Sequence, residues 1–352
     1  MKKNIILLFF SIFLTLFFLE CILKINGSYK NLTNSKFVNS KSIYSRPFNS
    51  FQKYKHPDLD YIITNYFDFD GVKNYPNSIT TSKKKNIIGV FGDSFVENIG
   101  IDERFEFSNL LNKEILDFTI VNYGVGGYNV DQSFIRFLET RDHNFKYVIY
   151  LLYNDRQFSK NLISFDDGGQ YKLNNIEINY VYHLLARLNL TYFFLDSFYR
   201  IRSNFFSHHE LVDINNYSKI IANKIALRKI NEQKRTDDNF VRILSAFKSE
   251  SEKKGAEFLV IIYPGNKNVE YFKKVILNKN LDLKYYILDS MLDSDKNLFF
   301  HNDGHWNEYG NLALAKNLKE ILLLNGIKFD KNNFEFNKRA INDFYSKHQK
   351  KF

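Results

Sequence analysis

The sequence predicts an α/β fold in which helices cover both faces of a parallel β-sheet. Three observations support this fold class. Short apolar runs alternate along the chain with stretches of helical periodicity, as in proteins built from strand–helix–strand units. Several runs are apolar at every position, which is typical of parallel strands buried on both faces. Glycines and polar residues directly follow these runs, at the strand ends where parallel sheets bind their ligands.

Five apolar runs are predicted to be strands of this sheet, and four periodic stretches are predicted to be helices. The strands are expected at residues 87–91, 118–121, 147–153, 258–263 and 285–288. The helices are expected at residues 105–116, 131–141, 238–254 and 308–324, with Asp131 near the cap of the second. Gly255 and Gly326 mark the ends of the last two helices, because glycine readily adopts the left-handed conformation that ends a helix.

The N-terminal residues 1–25 form an apolar segment that differs from the rest of the chain. Two lysines precede an uncharged apolar run that begins at Ile5. At about 1.5 Å per residue, the stretch from Ile5 to Leu23 just matches a hydrocarbon core of about 30 Å. No small-residue cleavage site follows it. The segment is therefore predicted to be an uncleaved transmembrane signal anchor that contacts membrane lipid and leaves the remaining chain outside the cytoplasm.

The remaining chain is predicted to contain one large domain. Residues 26–84 are polar and aromatic with little periodicity, and are interpreted as a stalk and leading segment. The domain then covers residues 85–352. Its strand–helix pattern is interrupted by an irregular, aromatic insertion at about residues 156–237.

Charge and cysteine content exclude several classes of function. The chain of 352 residues has a formal net charge of +10, but its lysines are scattered and no nucleic-acid-binding motif is present. A solvated basic surface is the simpler interpretation, and no nucleic-acid partner is expected. Cys21 is the only cysteine, so an intramolecular disulfide and a cysteine metal site are excluded. No metal or cofactor is predicted.

Ser94 is the candidate nucleophile. It follows the first predicted strand within Gly92-Asp93-Ser94, at a strand-to-helix turn that would expose its hydroxyl. A serine hydroxyl needs a neighbouring base that removes its proton before it becomes a good nucleophile. A serine that only caps a helix is the alternative interpretation.

Two further strand ends carry candidate hydrogen-bond donors for an oxyanion. Glycines at positions 124, 126 and 127 follow the second strand, and Asn154 follows the third. Glycines permit close backbone approach to a ligand, and an asparagine amide donates a hydrogen bond. Each group, taken alone, is also consistent with an ordinary turn.

His305 is the candidate base. It lies between the last strand and the last helix, and Asp303 precedes it by two residues. A carboxylate at that position would orient the imidazole and stabilise its charged form. A polar surface loop is the alternative interpretation, and His301 is a rival base.

These segments together resemble the SGNH/GDSL hydrolase family. The resemblance is carried, over residues 86–325 apart from the insertion, by Val90-Phe91-Gly92-Asp93-Ser94-Phe95, by residues 122–127, by Leu152-Tyr153-Asn154-Asp155 and by Asp303-Gly304-His305-Trp306-Asn307. It implies a flavodoxin-like three-layer α/β/α fold with Ser94 as nucleophile, His305 as general base and acid, and Asp303 as its orienting carboxylate. It also implies an oxyanion hole made of the Ser94 N–H, the Gly127 N–H and the Asn154 side chain.

Two positions depart from the family pattern. Leu152 occupies a position where the family usually has glycine, and Asn302 occupies the position of the acid in the more common Asp-x-x-His spacing. The Asp-x-His-Trp form resembles the branch that includes polysaccharide O-acetylation proteins. That branch implies acyl transfer to an extracytoplasmic glycan, with a membrane acyltransferase partner as the source of the acyl group. Simple ester hydrolysis and a non-catalytic glycan-binding or scaffolding module remain the alternatives.

Overall fold

The computed structural model describes residues 2–26, 50–68, 71–73, 86–140, 144–153, 162–174, 237–263, 282–288, 298–301, 303–330 and 334–348. The chain divides into two compact units. The first contains Met1–Asn39 and Ile176–Asn231, and the second contains Ser40–Asn175 and Glu232–Phe352.

In the first unit the described residues form helix α1, Lys2–Asn26. Several of its large apolar side chains are exposed, Phe10, Phe13 and Ile25 among them. Within the described part of the chain, no helix has the combined length and apolar character that a membrane crossing requires. The signal anchor over residues 1–25 stays a prediction.

The second unit contains the sheet and the helices that pack on it. In chain order its elements are β1 (Ser50–Lys55), β2 (Ile62–Phe67), β3 (Asn86–Phe91), α2 (Ser94–Glu97), α3 (Phe107–Asn112), β4 (Phe118–Asn122), α4 (Val130–Glu139), β5 (Phe145–Leu152), β6 (Ile163–Phe165), β7 (Tyr171–Leu173), α5 (Asp237–Lys253), β8 (Glu257–Ile262), β9 (Lys284–Ile287), α6 (Glu308–Leu324) and α7 (Phe334–His348).

Five of these strands form one parallel sheet in the order β4-β3-β5-β8-β9. Numbered within the sheet this is 2-1-3-4-5, the flavodoxin-like order. The prediction of a parallel α/β sheet is confirmed, and each predicted strand lies within two residues of the observed bounds. In this order the chain reverses its direction of travel across the sheet between β3 and β5, and ligands bind beyond the strand ends at that point.

Helices cover the sheet on both faces. On one face Ile88 and Val90 of β3 lie in an apolar core with Leu314 and Leu318 of α6. On the other face the ring of Phe247 from α5 packs on the sheet residues; its partners there are Phe91, Tyr150 and Phe258. Alternate residues of β3 therefore face opposite layers, as the period of two in a strand requires.

Helix α4 begins one residue earlier than the sequence predicts. Its cap is Asn129, which exchanges two hydrogen bonds with Gln132 in a capping box. The Asp131 carboxylate has another role, because it accepts the backbone N–H groups of Leu162 and Ile163. Asp131 thereby fastens the start of the predicted insertion to the domain.

Within the predicted insertion the structure describes residues 162–174, which contain a short hairpin formed by β6 and β7. The Asn239 side chain of α5 donates to the carbonyl of Ile163, and the Arg242 guanidinium lies 4.6 Å from the centre of the Phe165 ring. Residues 175–236 lie outside the described residues.

Residues 50–68 do not form a stalk, contrary to the interpretation of residues 26–84 as a stalk and leading segment. Strands β1 and β2 form an antiparallel hairpin, and the segment between them packs on the domain. Leu59 lies in an apolar cluster with Ile341 and Phe344 of α7. His56 is buried and its Nε2 lies 3.1 Å from the Glu308 carboxylate at the start of α6. These contacts join the leading segment to the C-terminal helices.

A buried ion pair ties the segment after this hairpin to the centre of the domain. The Lys73 ammonium lies 3.1 Å from Glu106 Oε2, and both side chains are almost completely buried. Lys73 also donates to the carbonyl of Asn98 at the end of α2. Glu106 Oε1 in turn accepts hydrogen bonds from Ser108 and Asn122. The pair therefore connects three segments that are distant in sequence.

We expect Lys73→Met to lower the free energy of unfolding by about 3–5 kcal/mol, because it leaves the Glu106 carboxylate buried without its cation. Urea unfolding followed by circular dichroism measures this change. Lys248→Met is the matched control, since Lys248 pairs with the fully exposed Asp282 and should change stability little. Equal losses in the free energy of unfolding for the two variants would contradict a stabilising role of the buried Lys73–Glu106 pair.

Candidate active site

Ser94 is the first residue of α2, directly beyond the end of β3. The Asp93 carboxylate accepts the N–H of Phe95 at 2.9 Å and so turns the chain from strand into helix. A Cβ at Gly92 would lie 2.5 Å from Val96 Cγ2 and 3.1 Å from the carbonyl oxygen of Leu151. Only glycine therefore fits this turn, which leaves Ser94 partly exposed at the sheet edge.

The structure brings His305 and Asp303 to Ser94. His305 Nε2 lies 2.8 Å from Ser94 Oγ, and His305 Nδ1 lies 3.0 Å from Asp303 Oδ1. The histidine and aspartate side chains are 38% and 22% exposed, so the chain of contacts opens to solvent. Gly304 between them has a φ of +66°, a left-handed conformation that lets two side chains so close in sequence meet.

The segment that carries His305 is anchored in the core. The Phe300 N–H donates to the carbonyl of His305 at 2.7 Å, and Phe299 forms a β-bridge with Trp306. The Trp306 side chain is buried and lies edge-on to the ring of Phe95. These contacts fix the backbone on both sides of the imidazole.

The glycine segment after β4 forms a tight turn. The Tyr128 N–H donates to the carbonyl of Val125 at 3.1 Å, with Gly126 and Gly127 at the two central positions. Gly127 has a φ of +81°, whereas Gly126 has no positive φ. This combination is that of a type II turn, which requires glycine at its third position. Gly127 is exposed, and its N–H makes no hydrogen bond within the described residues.

Of the remaining sequence candidates, the structure describes only His301. Asn154, the third candidate donor, and Asn302 lie outside the described residues. The backbone N–H of His301 donates to Asp58 at 2.8 Å, and none of the contacts described for His301 involves Ser94. Leu152, which replaces the usual glycine, is the buried last residue of β5 and pairs with Ile262 of β8. The leucine therefore continues the strand at this position.

An aromatic stack lies beside the site, and the sequence motifs assign no role to its members, although Phe95 and Tyr153 belong to the motif segments. The ring of Phe95 stacks on Tyr153, and Tyr153 stacks on Tyr263 with ring centroids 4.8 Å apart. Phe95 also lies 5.0 Å from the His305 ring. Burial raises the pKa of both tyrosines, and Tyr263 and Asp93 raise that of Tyr153 further. Both phenols therefore stay protonated at neutral pH. Their positions at the ends of β5 and β8 were the available sequence signal.

Within the described residues, no group of three or more histidine, cysteine, aspartate or glutamate side chains is arranged to hold a metal ion. The contacts at Ser94 are those of a hydroxyl, an imidazole and a carboxylate in series. Such a series is suited to nucleophilic acyl transfer, because each group activates or orients the preceding one.

Comparisons with known proteins give distant similarities. No family model and no curated protein matches the sequence. A solved member of the lipolytic G-D-S-L family from Veillonella parvula is 12% identical, with a TM-score of 0.34 over 67% of this chain and 97% of its own. A two-domain esterase active on acetylated mannans is 11% identical, with a TM-score of 0.34 over 68% of this chain and 49% of its own. Values this low do not define an activity, which has to be inferred from the site itself.

The fold and the site define a class of protein. The sheet has the flavodoxin-like order, and Ser94, beyond the first sheet strand, contacts an Asp-x-His pair that precedes the last sheet-covering helix. This combination agrees with the fold and the contacts that the resemblance of the sequence motifs to the SGNH/GDSL hydrolase family implies.

We expect Gly304→Ala to reduce turnover more than it reduces stability. The added methyl group meets no atom of the described residues within 4 Å, so the cost is the left-handed backbone, about 1–2 kcal/mol. Relief of this strain would separate Asp303 from His305. The control is Gly255→Ala, which has a φ of +75° and equally open surroundings at the end of α5. Equal kcat values for the two variants on 4-nitrophenyl acetate would contradict the expectation.

Proposed function

We propose that this chain is a serine-dependent enzyme that acts on acyl esters through an acyl-Ser94 intermediate. The observation that carries the proposal is the series of contacts from Ser94 Oγ to His305 Nε2 at 2.8 Å and from His305 Nδ1 to Asp303 at 3.0 Å. These distances lie within the hydrogen-bonding reach that a nucleophile, its base and the orienting carboxylate require.

The proposed reaction has two acyl-transfer steps. His305 Nε2 accepts the hydroxyl proton while Ser94 Oγ forms a bond to the ester carbonyl carbon. The resulting tetrahedral oxyanion accepts hydrogen bonds from the N–H groups of Ser94 and Gly127 and from the Asn154 amide. It collapses when the ester C–O bond breaks and His305 donates its proton to the departing alcohol. Water or a sugar hydroxyl then repeats the sequence on the acyl-enzyme, and Asp303 stabilises the imidazolium formed in each step.

We propose an acetylated extracytoplasmic glycan as the substrate. The terminal Asp303-Gly304-His305-Trp306 segment, which resembles that of polysaccharide O-acetylation proteins, supports this choice. Ser94 and His305 are both partly exposed, so a large acceptor or donor has access to them. Transfer would require an acyl donor at the outer face, and a membrane acyltransferase partner would supply it.

The proposed location rests on the sequence of residues 1–25, in which lysines precede an apolar run. In the proposal this segment holds the protein in a membrane with the second unit on the extracytoplasmic side. Cell fractionation followed by an alkaline wash tests it. Release of the full-length chain by the wash would exclude an integral anchor.

We expect Ser94→Ala to lower kcat on 4-nitrophenyl acetate on the order of 10⁶-fold, since it removes the nucleophile. It should also abolish labelling by a fluorophosphonate probe. Asn154→Ala should lower kcat by about 10²–10³-fold, the usual cost of one oxyanion donor. Ser251→Ala is the control, because Ser251 is a buried serine whose hydroxyl donates to the carbonyl of Phe247 within α5. Undiminished turnover by Ser94→Ala would exclude the mechanism.

Hydrolysis and transfer differ in the acceptor of the acyl group. We expect the wild-type protein to move acetyl groups from an acetyl donor to glycan hydroxyls, which mass spectrometry of the glycan detects. Release of acetate from an acetylated glycan without any acceptor would favour a hydrolase. Glycan binding without acetyl chemistry and without Ser94 labelling would favour the non-catalytic alternative.

A further inference from the structure

Glu97 connects the nucleophile helix to the glycine turn. It is the last residue of α2, three residues after Ser94, and it is only 1% exposed. Its Oε2 accepts the backbone N–H of Gly126 at 2.8 Å. A hydrogen bond from a backbone N–H to a buried carboxylate is stronger than one between neutral groups. The sequence motifs do not assign this residue a role.

The turn held by this bond contains the peptide group of the proposed oxyanion donor. That peptide joins Gly126 to Gly127 and carries the Gly127 N–H. Glycines impose little preference of their own on the backbone, so contacts from outside the turn are needed to fix where this N–H lies. The bond from the Gly126 N–H to Glu97 is such a contact, because it holds the peptide that leads into the turn.

The same segment is docked on α2 at a second point. A Cβ at Gly124 would lie 2.5 Å from the backbone nitrogen of Glu97 and 2.6 Å from Val96 Cβ, so the two backbones are in direct contact. Asn122 bridges the segments, because its amide donates to the Val96 carbonyl and its Oδ1 accepts the Gly124 N–H. Asn122 fixes the start of the turn, and Glu97 fixes its centre.

We propose that Glu97 is a positioning residue for the oxyanion hole. By holding the Gly126 N–H it fixes the peptide that leads into the turn, from which the peptide carrying the Gly127 N–H continues. Because Glu97 belongs to the same helical turn as Ser94, it fixes the position of the turn relative to the nucleophile. The inference rests on the proposed function, in which the Gly127 N–H donates to the oxyanion. It adds a residue that acts through Gly126 and does not itself touch the substrate.

The experiment compares Glu97→Ala, Glu97→Gln and Glu97→Asp by steady-state kinetics on 4-nitrophenyl acetate. Alanine removes the acceptor, and aspartate withdraws it by one methylene group. Glutamine keeps an oxygen at the same distance. We expect kcat to fall about 10²-fold in Glu97→Ala and at least 10-fold in Glu97→Asp, with KM nearly unchanged. Glu97→Gln should recover kcat to within about five-fold of the wild type, since an amide oxygen also accepts the N–H.

The matched control is Glu114→Ala. Glu114 is a carboxylate as buried as Glu97, and it pairs with Lys319 of α6 at 2.6 Å. Its loss should lower stability and leave kcat unchanged, which separates a general effect of removing a buried carboxylate from an effect on the turn. If Glu97→Ala does not fold, the comparison of Glu97→Asp with Glu97→Gln decides the question.

Three results would overturn the inference: a kcat of Glu97→Ala or Glu97→Asp equal to that of Glu114→Ala, a loss in Glu97→Gln as large as in Glu97→Asp, or a shift of the pH profile of kcat/KM. The last result would mean that Glu97 acts electrostatically on His305. Failure of the proposed function is a separate result, because the wild-type protein would then neither hydrolyse the ester nor bind a fluorophosphonate at Ser94.

Discussion

The hydrogen bond between Ser94 Oγ and His305 Nε2 joins two segments that are 211 residues apart in the chain. Neither segment holds this geometry alone. Ser94 depends on the tight turn at Gly92, which is packed against Val96 and the end of β5. His305 depends on a loop whose neighbouring side chain, Trp306, is buried in the core. The parallel sheet brings the two segments together because consecutive strand ends emerge on the same edge.

The polar groups beneath this edge form a connected network. The Lys73–Glu106 ion pair lies next to Asn122, and Asn122 and Glu97 both hold the glycine turn. Burial of so many polar and charged groups is unfavourable unless each finds a partner. An apolar core would stabilise the domain as well, but it would offer no directional contacts to the backbone of a glycine turn. The network therefore accounts for how a flexible glycine segment adopts one conformation next to the nucleophile.

Hydrolysis and acyl transfer would use the same three groups at this edge. In the proposed mechanism the difference lies in which hydroxyl reaches the acyl-enzyme. Phe95 and Tyr153 stack against each other beside the imidazole. Their rings are packed on further aromatic residues, so this side of the site has little freedom to move.

The sequence by itself determined the sheet, the ends of α5 and α6, and the identity of the three groups that meet at Ser94; the helix predicted at residues 105–116 is shorter, Phe107–Asn112. These features depend on local signals: apolar runs, a glycine after a helix, and polar residues directly after a strand. Only the tertiary structure decided the rest. Residues 50–68 lack periodicity, and they join the domain through Leu59 and His56, whose partners lie near the C-terminus. The bond from Glu97 to Gly126 and the pairing of Lys73 with Glu106 likewise join residues remote in sequence. The sequence does not indicate which residue a buried charged side chain pairs with, because the tertiary packing that buries both residues determines the pairing.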